Sequence, residues 1–459
     1  MPPSTTTKPP HPILIIGAGI AGLTTARLLT NASIPNIVFD TAFPTQPQGY
    51  AISLRKFGFS ALLKALGDLP LSALTKGVAP DRLIGGTGWI DQSLRNNQTG
   101  EVIVMPPGED RRDPSILRAN REALRSWIAD CGEEEVDIRY GHRLVDLSFS
   151  DSDAGSDEPG SGSASVVTAT FANGTVYKGS LLIAADGVHS TVRNTLLPNI
   201  IPEIVPVLVY HGDLSLPLED YERIMRKHTG ESNTLAGVGD NFNTPLNVCN
   251  IAPSVAPATP SGASGEEDTG GRGGGNDNAS GKTVHMSWSY SRPSLGSDDA
   301  LYNSNIALTV EESLTSTIPA ALLKEIEERD LADPWNVFIN PTAMQHHQVF
   351  NWLIRCVSVD RDLMDTAVGK NVVFVGDSWH AMPIFGGEGG NHALVDGVEL
   401  AGLLSKCGWK GGEVKKVLAE YYDGAFRRGQ DAVRRSKQRF FQLHRPIGEW
   451  VEIAEKSRK

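Results

Sequence analysis

Short apolar runs separated by turn residues set the pattern of this chain. Residues 13–16 are apolar at every position, which predicts a strand buried on both faces of a parallel sheet. A glycine turn follows, then the helical spacing of Leu23, Ala26 and Leu29, then a second apolar run at 37–39. Strand character returns at 50–54, 83–90 and 101–105, with the turn residues 96–100 predicting a hairpin between the last two. Residues 57–66 read as an amphipathic helix stopped by Gly67, and ILRANREALRSWIAD (116–130) as another, with Leu124, Trp127 and Ile128 on one side.

Three strand-like runs, 144–149, 166–171 and 176–178, predict a meander whose first turn carries a low-complexity acidic insertion. A strand-rich region opens at 205–216. Residues 252–282 are rich in Pro, Gly, Ser and acids and cannot bury enough apolar area to order themselves, so they read as a disordered tip between two strands. In the second of these, Val284, Met286, Trp288 and Tyr290 share the face expected to pack into a core, with His285, Ser287 and Ser289 opposite. Residues 311–329 read as helical, 350–357 and 372–375 as strands and 391–404 as a helix. Residues 425–447 form a basic amphipathic helix whose apolar side is expected to cover the core.

The stretch 12–40 carries chemistry. Between its two strands stands G-x-G-x-x-G, filled by Gly17, Gly19 and Gly22. Gly17 permits the sharp turn, Gly19 leaves room for a pyrophosphate against the backbone, and Gly22 lets helix and strand approach. The N-terminus of the helix faces the diphosphate, and Asp40 ends the second strand, where a carboxylate can hold an adenosine ribose. The pattern marks a dinucleotide site and does not separate FAD from NAD.

Composition narrows the classes. The chain has 459 residues, 40% of them apolar, 21% charged, and a net charge of −12. With no basic stripe, nucleic acid is not an expected partner. The four scattered cysteines form no C-x-x-C pair, the pattern of a reducing compartment rather than a disulfide framework or zinc site. The proline-rich start lacks the apolar core of a signal peptide and no apolar run is long enough for a bilayer, so a cytoplasmic protein is expected.

A second constellation begins at Lys370: KNVVFVGDSWHAMPIFGGEGGNHALVDGVELAGLL. A buried strand ends at Gly376-Asp377, a glycine-laden loop follows, and a helix begins near Asn391. Asp377 can accept hydroxyl hydrogen bonds, and the backbone N–H groups of 387–391 form a donor cradle for a partly anionic group.

With these residues in view, the chain resembles a class A flavoprotein monooxygenase of the para-hydroxybenzoate hydroxylase type. The likeness runs from Ile13 to about Gln442 on three ordered motifs: GAGIAGL, AADGVHSTVR and GDSWHAMPIFGGEGGNHALVDGVEL. It implies an α/β fold: a Rossmann-like FAD-binding domain (12–80, 110–200 and 360–405), a β-rich substrate domain (81–109 and 201–359), C-terminal helices (406–459) and a disordered tail (1–11). It implies FAD as cofactor, NAD(P)H as reductant, and transfer of one atom of O₂ to a small aromatic or polycyclic substrate. Asp40 would bind ribose and Ala51 would approach FAD by its backbone. Arg121 would meet the pyrophosphate, with Arg118 and Arg125 as alternatives. Asp186 and Arg193 would serve FAD and NAD(P)H, Arg193 as a catalytic residue, Asp377 the ribityl hydroxyls, and Pro383, Gly389, Gly390 and Asn391 the flavin ring. Tyr210 would be an active-site phenol, and His211 has the ordinary pKa range to assist a phenol's deprotonation.

The chain departs from the pattern at Thr41-Ala42, where a basic residue is frequent, at Ile384, where a second proline is common, and at Glu388, where Gln is frequent. Two other readings use the same residues: an NAD(P)-dependent dehydrogenase, built on the first motif alone, and a flavin-fold binding protein without oxygenase activity.

Overall fold

The computed structural model describes residues 8–43, 50–106, 108, 110–151, 165–254, 281–302, 317–409 and 412–457. At its centre lies a five-stranded parallel sheet in the order Val372–Phe374, Leu181–Ala184, Ile13–Ile16, Asn36–Phe39, Ile138–Arg139. The central strand Ile13–Ile16 is buried throughout, as its uninterrupted apolar sequence demands. Helix Ile20–Asn31 crosses helix Gly389–Leu404 so closely that a Cβ on Gly397 would stand 2.8 Å from Thr24. The two motif-bearing segments, far apart in sequence, thus pack on each other.

A second sheet of seven strands runs Gln348–Asn351, Val207–Pro217, Lys282–Pro293, Leu246–Pro253, Thr234–Val238, Leu94–Asn96, Val102–Val104. One face of Lys282–Pro293 buries Val284, Met286, Trp288 and Tyr290 in a separate core, closed by helix Ala320–Glu328 through Leu322 and Ile326. The opposite face carries Ser287, Ser289 and Ser291 toward the first sheet. The meander forms as expected from Leu144–Asp151, Ser165–Phe171 and Val176–Gly179. Its inserted turn, the tip 255–280 and the start of the helix expected at 311–329 lie outside the described residues.

Helix Glu413–Leu443 lays Leu418, Tyr421, Tyr422, Ala425 and Phe440 against the protein, and helix Ile447–Ser457 brings Trp450 to Ile103 and Val238 at the edge of the larger sheet. Among the described residues no helix is long and apolar enough to cross a membrane.

Three expectations change. Residues 116–120 are not helix: Ile116–Asn120 pairs antiparallel with Ala51–Arg55, and the helix starts at Arg121. Asn120 caps it, its side chain accepting the Ala123 N–H at 2.8 Å. Across 83–90 only Trp89 makes a bridge, and Arg82–Ile84 is a 3₁₀ turn; the outer arm of the predicted hairpin is Leu94–Asn96 instead. The run 350–357 breaks at Trp352, so Gln348–Asn351 joins the seven-stranded sheet while Arg355–Cys356 pairs with Glu203–Ile204.

Candidate functional site

A cavity of about 790 Å³ opens at the carboxyl end of the parallel strands and runs to the polar face of the seven-stranded sheet. The first glycine motif, Asp377, the 386–390 loop and the serine face all line it. Ligands of open parallel sheets bind at this edge, where helix N-termini and loops converge.

At one end Gly17 turns with φ +107°, a conformation that suits glycine, and a Cβ there would strike the Ala185 carbonyl oxygen at 2.3 Å. Gly22 does not line the cavity; its missing Cβ lets the helix sit on the Gly17 carbonyl. Gly19 is different. Its φ of −76° suits any residue and a Cβ would come no closer than 4.0 Å to protein. Its smallness therefore serves the cavity. Asp40 accepts the Ala18 N–H at 2.7 Å on one oxygen and the Ala42 N–H at 2.8 Å on the other, so it shapes the turn and lines the cavity together.

The arginine alternatives now differ in their commitments. Arg125 donates from Nε to the Ala18 carbonyl at 2.8 Å and pairs with Glu122 at 2.9 Å. Arg118 reaches Ser53 at 3.4 Å, and burial lowers its pKa. The Arg121 side chain makes no hydrogen bond or ion pair among the described residues; its backbone N–H donates to the Tyr50 carbonyl at 3.2 Å. Its guanidinium lies over the Tyr50 ring at 5.2 Å and borders the cavity. Ala51 lies beside them on the wall.

In the middle, Asp377 opens on the cavity and accepts no hydrogen bond among the described residues. Its depth in the protein raises its pKa, against the pull of His380 and Arg121. Asp186 lines the same space. One of its oxygens takes the Val192 N–H at 3.1 Å, while Oδ1 is buried without a partner; burial raises its pKa. Pro383, Gly389 and Gly390 also line the wall. A Cβ on Gly389 would clear Asp377 Oδ1 by 3.8 Å, again leaving room the fold itself does not need.

Asn391 is buried outside the cavity lining. Its side chain accepts the Arg55 N–H at 2.6 Å and donates to the carbonyls of Ser53 at 2.9 Å and Gly387 at 3.0 Å, pinning the glycine loop to strand Ala51–Arg55. Glu388 is enclosed by Arg55 (3.6 Å), Arg435 (3.6 Å) and His392 (3.7 Å). His392 and these cations hold its carboxyl below the usual range. Glu388 lines the cavity, but its charge is compensated locally by these cations.

Two further expected residues lie elsewhere. Arg193 is fully buried behind the wall and donates to the carbonyls of Ser378 at 2.8 Å and Val188 at 2.7 Å, tying the second motif to the third. Tyr210 sits on the wrong side of the pleat: it packs into the core with Trp288 and Tyr290, and Val209 and His211 face the cavity. His211, Trp352 and the serine face were the residues sequence reasoning did not place. Alternation along 285–290 separated the two faces, but nothing local said which polar face would meet a cavity. His211 stacks on Trp352 at 4.3 Å with a 12° interplanar angle, and its Nε2 meets Asp213 at 3.0 Å.

Cradle, open carboxylates and free guanidinium fit an extended dinucleotide with a hydroxyl-bearing chain. Comparison with known proteins points the same way. The chain is 58% identical over 451 residues to the FAD-dependent monooxygenase aptC of Emericella nidulans, covering 97% of this chain and 99% of that protein. It is 54% identical over 450 residues to the FAD-dependent monooxygenase adaC of Aspergillus niger, covering 97% of each. Among solved structures, Klebsiella pneumoniae HpxO in complex with FAD and uric acid matches with a TM-score of 0.63 at 19% identity, over 97% of this chain and 92% of that one. No protein-family model matches the chain.

Proposed function

The chain belongs to the FAD-dependent monooxygenases, and from that premise we propose that its cavity holds FAD along the line from Gly19 to Gly390 and a flat organic substrate against the serine face. A dehydrogenase built on the first motif alone leaves the second half of this cavity unused. The observation that carries the reading is the continuity of one cavity across both glycine motifs and the polar sheet face.

FAD held there would supply two-electron transfer from a reduced nicotinamide to O₂. The chain's own residues bind, orient and exclude water. The first helix N-terminus and Arg121 would meet the pyrophosphate, Asp40 the ribose, and Asp377 the ribityl hydroxyls. The N–H groups of 387–390, at the start of a long helix, favour negative charge where the reduced ring would lie. Glu388, neutralised by Arg55 and Arg435, leaves that field intact. Trp352 and His211 give an aromatic floor for a planar substrate, and Ser289 and Asn247 offer polar contacts. We take NAD(P)H as the reductant and an aromatic or polycyclic molecule as the substrate. The balance is then substrate, O₂, NAD(P)H and a proton in; oxygenated product, water and NAD(P)⁺ out.

The test is direct. Purified protein should be yellow, consume NADPH faster when a phenolic or quinonoid substrate is added, and transfer ¹⁸O from ¹⁸O₂ to product. Flavin binding with NADPH oxidation that never couples to product, across a broad aromatic panel, would favour a binding role instead.

A further inference from the structure

Arg118 sits deep in the protein, and no carboxylate or carbonyl among the described residues pairs with its guanidinium. It stands on strand Ile116–Asn120, opposite Ser53. Asn120, two residues on and so on the same face of the strand, donates to the Cys249 carbonyl at 3.0 Å. That face looks across to the seven-stranded sheet, where Cys249 in turn donates to the Ser287 hydroxyl at 3.2 Å. Arg118 lines the main cavity at this junction. Nη1 makes a long contact of 3.4 Å to the Ser53 hydroxyl, and Nε is sealed in without an acceptor. Nη2 has no acceptor among the described residues and is not sealed in, so it opens on the cavity.

Other deep arginines are compensated. Arg27 and Arg193 donate to backbone carbonyls, Arg292 pairs with Asp299 and Glu325, and Arg428 pairs with Asp396 and Glu399. Around Arg118 the group that favours its charge is the Cys249 thiol, and burial drives that thiol toward its neutral form. A guanidinium keeps its proton at any working pH. A lone cation out of water is costly, and no contact within the fold offsets this one. Across from it the sheet lines the cavity with Ser287, Ser289, Asn247 and Thr234, hydroxyls and amides that carry no charge.

We infer that Arg118 anchors a carboxylate of the substrate, which makes the substrate class a flat ring system bearing such a group. The inference rests on the oxygenation reading above and narrows its substrate. A carboxylate would bring the missing counter-charge, accept from the open guanidinium nitrogen and take further hydrogen bonds from the neighbouring hydroxyls. Ser53 also borders the glycine loop: a Cβ on Gly387 would stand 3.4 Å from the Ser53 Cβ. The anchored end of the substrate would therefore lie between that loop and the polar sheet face, with the stacked pair Trp352 and His211 in the same cavity to receive its rings.

The test uses FAD-loaded protein and a pair of probes that differ in one group, anthracene-2-carboxylate and anthracene-2-carboxamide, with binding followed by equilibrium dialysis near neutral pH. The wild type should hold the carboxylate more tightly by roughly 10- to 150-fold. Arg118→Met removes the charge at similar volume, so the preference should vanish while FAD content stays and the thermal midpoint of the holoenzyme holds or rises. Arg118→Lys keeps a cation and should keep part of the preference. A carboxamide that binds as well as the carboxylate, a preference that survives Arg118→Met, or a cavity that takes neither probe would overturn the anchor. Loss of FAD from Arg118→Met would overturn it too, because the guanidinium would then serve the cofactor. The oxygenase reading is judged apart from this, by NADPH-dependent ¹⁸O transfer in the wild type.

Discussion

Nε2 of His380 lies 2.7 Å from Oδ2 of Asp396, and neither side chain is exposed by more than 1%. Asp396 also accepts the Gly376 N–H at 2.7 Å and pairs through Oδ1 with Arg428 at 2.8 Å. The network therefore holds the turn that presents Asp377. The Asp396 carboxyl is held far below its usual range by His380 and Arg428 against the cost of burial, and Asp396 raises His380 against the same cost. A depressed acid contributes stability above its unfolded pKa that is lost as pH falls through the folded value. A raised histidine contributes below its unfolded pKa and loses it as pH rises through the folded value. The pair should stabilise most fully between about pH 4 and 6.5. Asp396→Asn should cost about 3–5 kcal/mol there and flatten both slopes, read from urea midpoints of the holoenzyme across pH.

Arg121 and Arg125 are one helical turn apart and should fail differently. Arg125 is committed to the Ala18 carbonyl and Glu122, so Arg125→Gln should lower the thermal midpoint of the apoprotein. Arg121 has no such commitment and faces the cavity. Arg121→Gln should leave the apoprotein midpoint unchanged and weaken FAD by about 1.5–3 kcal/mol, roughly 10- to 150-fold in Kd. Titration of apoprotein with FAD, followed by flavin fluorescence, measures both variants.

Asp377 holds a charge that the empty fold does not use. Desolvation in the cavity wall disfavours its ionised form and Asp396 adds repulsion, against the weaker pull of His380 and Arg121. Neutralising it should leave the apoprotein as stable as the wild type or more so, while removing an acceptor the ligand needs. Asp377→Asn should therefore keep or raise the apo thermal midpoint and lose bound flavin on purification. A variant that retains wild-type flavin content would show that Asp377 does not hold the ribityl chain.

Much of this arrangement was legible in the sequence where local spacing decides it. GAGIAGL gave strand, turn and helix because each glycine answers to neighbours within a few residues, and the buried strands were legible from runs such as Leu181–Ala184. The failures have one cause. Ile116–Asn120 continues the helical pattern of the next ten residues, and only pairing with Ala51–Arg55, distant in sequence, makes it a strand. Tyr210 and His211 differ by one step of the pleat. Both faces of their strand are buried, one in a core and one against a cavity, so alternation could not tell which residue meets the ligand. Arg193 was read as catalytic from its motif, whereas its side chain donates to two backbone carbonyls behind the wall.

Gly17 and Gly19 provide the sharpest separation of fold from function. A methyl on Gly17 would meet the Ala185 carbonyl at 2.3 Å, on a backbone at φ +107° that L side chains rarely adopt. Gly17→Ala should therefore misfold or lose several degrees of thermal midpoint even without ligand. A methyl on Gly19 meets nothing of the protein closer than 4.0 Å, and its φ of −76° is ordinary. Alanine there should fold as well as the wild type, or slightly better through reduced freedom of the unfolded chain. Its methyl would stand where the pyrophosphate must approach the backbone. Gly19→Ala should thus give a stable, colourless protein whose FAD affinity falls while its far-ultraviolet circular dichroism and apo midpoint match the wild type. If that variant instead purifies yellow with unchanged affinity, the diphosphate does not lie over this turn.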